Sequence, residues 1–146
     1  MDIQLKNLQK KATLNLPQIQ RIVKAILAYE HIKDANLSFA FVTNQKIKSL
    51  NQKFLGRSYQ TDVLSFDLRE NKKDILIGEI IISIEMAIKN AQSFGNDLNN
   101  ELALYIVHGI LHLLGFDDHR PSDIKRMRKK EQQLLKHLGR RINGIV

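Results

Sequence analysis

The chain has 146 residues, 43% of them hydrophobic and 6% aromatic, with 23 Lys/Arg against 15 Asp/Glu and neither Trp nor Cys. That length suits one domain with a buried core. The missing cysteines exclude disulfides, thiolate zinc sites and cysteine nucleophiles, so any metal must be held by nitrogen and oxygen.

The net charge of +8 is unevenly placed. Residues 1–119 carry 14 Lys/Arg against 13 Asp/Glu, whereas 120–141 carry nine cations against Asp123 and Glu131. Such an asymmetry points to a polyanion, either nucleic acid or an anionic membrane face, with a solvated helix face as the plainer alternative. Met1 to Lys11 holds Asp2 and three lysines without an apolar core, unlike a signal peptide. The longest apolar stretch, Leu102 to Leu114, is broken by histidines and too short to span a bilayer. A cytoplasmic protein with no membrane partner is expected.

No repeat or linker interrupts the chain. Pro17 suits a helix start, and Ile19, Ile22, Val23, Ile26 and Leu27 follow at helical spacing, which predicts a helix over Pro17 to His31. Leu37 to Thr43 reads as a strand, and Asn44 as the N-cap of a helix through Phe54. Gly56 to Thr61 is a loop. Asp62 to Leu68 and Ile75 to Ser83 are strand-like, separated by the charged turn Arg69 to Asp74. A helix over Glu85 to Phe94 stops at Gly95. Two more are expected, Leu98 to Leu114 and Ser122 to Leu138. The latter turns Ile124, Met127, Leu134, Leu135 and Leu138 inward and its cations outward. Three or four strands with flanking helices make an α+β domain spanning residues 1–146, with one mixed sheet of about four strands.

The chemistry lies in Tyr105 to His119, YIVHGILHLLGFDDH. His108 and His112 stand at i and i+4, on one helical face and about 5–6 Å apart, within reach of one metal ion. Gly115 can end the helix and fold the chain back. Asp118 and His119 would then face the two histidines. Burying two imidazoles among Ile106, Val107, Ile110 and Leu111 is costly unless something satisfies them. Three N/O ligands with a vacant position make a catalytic rather than a structural site.

The spacing is similar to the zincin pattern His-Glu-x-x-His-x-x-Gly-x-x-His, so the segment reads as a zincin-like metal helix. Gly109, however, stands where zincins keep the glutamate that deprotonates water. Without that base a peptidase is not expected.

Residues 108–117 match the pattern His-Gly-x-Leu-His-Leu-x-Gly-[Tyr/Phe]-Asp of the YbeY endoribonucleases. Leu50-Asn51 with Thr61 to Phe66, and Ile77-Gly78-Glu79-Ile80, resemble two further elements of that family, in family order. The resemblance implies a single-strand-specific, metal-dependent endoribonuclease acting in ribosomal RNA processing, including small-subunit RNA maturation and ribosome quality control. It also implies association with small-subunit components of the ribosome. One divalent ion is expected, with zinc first. The basic segment, through Arg120, Lys125, Arg128 and Lys129, is compatible with holding RNA phosphates. The alternative is a non-catalytic ribosome-assembly or RNA-binding factor braced by a structural metal.

Two positions depart from the family pattern. Its third histidine falls ten residues after the first, where this chain has Asp118. Asp118 is therefore the expected third ligand, with His119 as the alternative. The family's arginine and proline of the 50s segment are Leu55 and Gln60 here, and Arg57 is the candidate to orient the scissile phosphate. Glu101 is expected on the helix surface, His31 and His137 are expected as surface histidines, and Ser65 as a strand residue rather than a nucleophile.

Overall fold

In a computed structural model, the structure describes residues 1–56 and 61–146. Four strands, β1 (Asp2–Asn7), β2 (Ala35–Val42), β3 (Val63–Asp67) and β4 (Leu76–Ser83), form one mixed sheet in the order β1-β2-β4-β3. β2 runs parallel to both β1 and β4, and β3 lies antiparallel to β4 at an outer edge. Five helices join them: α1 (Leu16–Tyr29), α2 (Asn44–Leu55), α3 (Ile84–Ser93), α4 (Leu98–Leu113) and α5 (Pro121–Leu138). This is the expected α+β architecture.

The central strands are buried along one face and, toward their C-terminal ends, on the other as well. Leu37, Phe39 and Phe41 of β2 and Leu76, Ile80 and Ile82 of β4 join the main core with buried residues of α1, α4 and α5. Their alternates Ala40, Val42 and Ile81 turn the other way and pack with Ile47 of α2 and Leu64 of β3. The two-residue period of the strands thus assigns each side chain to one of two cores.

Two details differ from expectation. β1 was not foreseen: Asp2–Asn7 offers only Ile3 and Leu5 in alternation among polar residues, a weak pattern that an edge strand tolerates. Asn44 is not a cap but the first residue of α2. The cap is Thr43, whose hydroxyl accepts from the Lys46 N–H at 3.3 Å. The Asn44 side chain instead accepts from the Ser83 hydroxyl, and its backbone N–H donates to Glu85 at 2.9 Å.

Helix α4 lies against the β3–β4 side of the sheet, and glycines set how closely. A Cβ added at Gly109 would stand 2.7 Å from Ile80 Cγ2 and 3.3 Å from Val63 Cγ1. At Gly78 the added atom would meet Leu113 Cδ1 at 2.6 Å and the Phe66 carbonyl at 3.1 Å. The glycines of two separate sequence motifs therefore admit one helix–sheet contact. Helix α4 ends as expected: Gly115 has φ +95°, and the Phe116 N–H returns to the Leu111 carbonyl at 3.0 Å.

Candidate metal centre

The turn at Gly115 brings Asp118 back beside the last turns of α4. Its Oδ2 lies 3.7 Å from His108 Nε2 and 3.5 Å from His112 Nε2, and the two imidazole nitrogens are 2.9 Å apart. Four ligands around one ion at bonds of about 2.0–2.1 Å stand roughly 3.3 Å from each other. The three donors bracket that spacing, so the residues fit a small divalent cation, and they could hold one without large rearrangement. His119 does not join them. Its ring is 74% exposed and pairs with Asp117 at 3.2 Å.

A carboxylate far from the histidine motif completes the arrangement. Glu131 of α5 is only 8% exposed, and its Oε2 accepts from His108 Nδ1 at 2.8 Å. By sequence alone it is one of two acids in a basic segment. The signal was its place in the apolar seam, four residues after Met127 and three before Leu134.

These neighbours divide the two imidazoles electrically. Burial pushes His108 down, but the hydrogen bond and charge of Glu131, aided by Asp62 and Asp118, outweigh it and leave the net shift upward. His112 goes down, first through burial and then through the charge of His108, against the pull of Asp118 and Asp117. Of the two rings, His108 is therefore the one that takes up a second proton first as pH falls.

The three donors open onto a cleft of about 690 Å³ that runs along β3, the outer strand of the sheet. Asn51, Asp62, Ser65 and Asp67 also line it. Ser65 is a strand residue, as expected, and its hydroxyl donates to the Gly109 carbonyl at 3.0 Å. Arg69 clamps Asp67 and also donates to the Leu113 carbonyl at 2.9 Å, tying the far end of β3 to the end of α4.

Glu101 corrects an expectation. It is 7% exposed rather than on the surface, and its carboxylate accepts from Asn96 at 3.2 Å, away from the histidines. His31 and His137 are exposed, as expected. Arg57 and Gln60 lie outside the described residues. Arg120 at the N-cap of α5, and Lys125, Arg128 and Lys129 within it, are exposed. Two other cations of that helix are engaged, Arg126 over the Phe116 ring at 5.9 Å and Lys130 with Glu30 at 2.9 Å. No described helix is long and apolar enough to cross a membrane.

A family model described as Endoribonuclease YbeY matches residues 4–139. The chain belongs to the YbeY family. An endoribonuclease YbeY from Syntrophus aciditrophicus is 37% identical over 142 residues, covering 92% of this chain and 88% of the relative. Another from Carboxydothermus hydrogenoformans is 36% identical, covering 93% and 96% respectively. The solution structure of TM1509 from Thermotoga maritima superposes with a TM-score of 0.66 at 29% identity, over 93% of this chain and 88% of that one. The YbeY match takes in every part of the site described above, from Asn51 through Asp118 to Glu131.

Proposed function

We propose that the chain is a metal-dependent endoribonuclease that cuts single-stranded RNA in ribosomal RNA processing, with small-subunit RNA as its substrate. Family membership supports the RNA-cleaving part. The observation that carries the metal dependence is the meeting of His108, His112 and Asp118 at one end of an open cleft. In this reading the three side chains hold one divalent ion, with zinc favoured by two imidazoles and a carboxylate.

When bound, such an ion supplies Lewis acidity, drawing charge from a phosphate oxygen and making water a better nucleophile. The remaining work falls to the protein. Glu131 accepts a hydrogen bond from the Nδ1–H of His108 and leaves Nε2 as the ligand atom. Asp118 offsets part of the cation's charge. The edge of β3 gives an extended strand a track past the centre, and Arg120, Lys125, Arg128 and Lys129 supply phosphate contacts. Arg57 is proposed to orient the scissile phosphate.

The test is cleavage of a labelled single-stranded RNA by wild type and His112→Ala, each with and without chelator. Turnover abolished by both treatments supports the reading. RNA bound but never cut, with marked unfolding on metal removal, would favour an assembly factor with a structural metal.

A further inference from the structure

Helix α5 turns Met127, Leu134 and Leu138 into the core, and Glu131 stands in the same buried row. A carboxylate in an apolar seam is unfavourable unless a partner compensates it. The partner is His108 Nδ1, 2.8 Å away and on a different helix.

We propose that Glu131 is a positioning residue for the metal centre, an inference that rests on the metal reading above. Its carboxylate accepts the Nδ1–H of His108 and so fixes both the ring orientation and the tautomer. The nitrogen left bare is Nε2, on the side of His112 and Asp118. A ring free to rotate would instead present either nitrogen, and only one of the two faces the other ligands. The support is also one-sided. Among the described residues, the side chains at hydrogen-bond or ion-pair distance from the His112 ring are those of His108 and Asp118. His108 is thus the anchored ligand and His112 the adaptable one. Carboxylates placed behind metal-bound histidines are worth about 10–100-fold in metal affinity.

The experiment compares wild type with Glu131→Gln, Glu131→Leu and Glu131→Asp, and with Glu30→Gln as a control. The control removes the neighbouring ion pair of α5 with Lys130 without touching His108. Zinc affinity is read by competition with a chromophoric chelator. The His108 tautomer is read by nitrogen NMR of metal-free protein at a pH where the ring is neutral, and folding by thermal melting.

The expected result is an Nδ1–H tautomer in wild type. In the Gln and Leu variants it should give way to a mixture, with zinc affinity lower by about 10–100-fold. The Asp variant should recover part of both, and the Glu30→Gln control should match wild type in both. If Glu131→Leu fails to fold, Glu131→Gln carries the same test at nearly unchanged volume. Unchanged tautomer and zinc affinity in a folded Gln or Leu variant would overturn the proposal. Wild type that binds no zinc would overturn the metal reading, and this role with it, whereas equal zinc binding by all variants would overturn the role of Glu131 alone.

Discussion

The Ser65 hydroxyl donates to the Gly109 carbonyl across 3.0 Å, so a side chain of the edge strand grips the backbone of the metal helix one residue past His108. In a helix that carbonyl already accepts from the residue four positions on, and Ser65 uses its second lone pair. Ser65→Ala is expected to cost roughly 0.5–1.5 kcal/mol of stability. Denaturant unfolding checks this, and an unchanged midpoint would mean the bond contributes nothing.

Gly109→Ala sets two effects against each other. Alanine gains about 1 kcal/mol of helix propensity over glycine. Its methyl, however, would stand 2.7 Å from Ile80 Cγ2, and overpacking of that kind costs about 1–3 kcal/mol. Net destabilisation is expected. The double variant Gly109→Ala/Ile80→Ala should be less destabilised than the sum of the two singles. Strict additivity would show that the helix shifts to make room.

The third ligand can be decided by two substitutions. Asp118→Ala should weaken zinc binding by more than about 100-fold, beyond the loss ascribed to partners outside the ligand set. His119→Ala should leave it unchanged, since that ring is turned toward Asp117. Chelator competition reads both, and the reverse ranking would transfer the role to His119.

Zinc binding is expected to weaken as pH falls, because the ligand nitrogens must be free of protons. His108 is shifted upward from its ordinary value and His112 downward. The metal should therefore compete with protons mainly at His108 and less at His112. In metal-free protein the same shifts act oppositely on stability. The His108 contribution is complete below the unfolded value and is lost as pH rises through its raised folded pKa. The His112 contribution is present above the unfolded value and is lost as pH falls through its lowered one. Nitrogen NMR of the metal-free protein follows each ring, and His112 taking up its second proton before His108 as pH falls would contradict the assignment.

The exposed cations of α5 make a separate prediction. Reversing Lys125, Arg128 and Lys129 to Glu should weaken single-stranded RNA binding. It should also flatten the dependence on salt by about 0.7 in log–log slope for each lost phosphate contact. The apolar side of α5 is untouched, so melting should not move. A salt slope equal to that of wild type would place the RNA elsewhere.

Much of this was legible in the residues, and the exceptions have physical causes. Long periodic segments such as α1, α4 and α5 announce themselves because burial repeats every three to four residues. β1 does not, because an edge strand needs little apolar surface. Thr43 and Asn44 are both good capping residues, and the first of them was taken by the cap. The histidine pair and the Gly115 turn follow from local spacing. Glu131 and Ser65 act across elements, 23 and 44 residues from their partners. Such pairings become visible only once the chain has folded.

The described residues lining the cleft include four carboxylates, those of Asp62, Asp67, Asp117 and Asp118, and neither lysine nor arginine. Asp67 is already compensated by Arg69, but an RNA phosphate close to the two histidines meets the Asp118 carboxylate unless a cation is in place. On the reading proposed above, metal occupancy and RNA affinity are therefore thermodynamically linked. By reciprocity, bound RNA would tighten the binding of the ion by the same factor by which the ion tightens the binding of RNA.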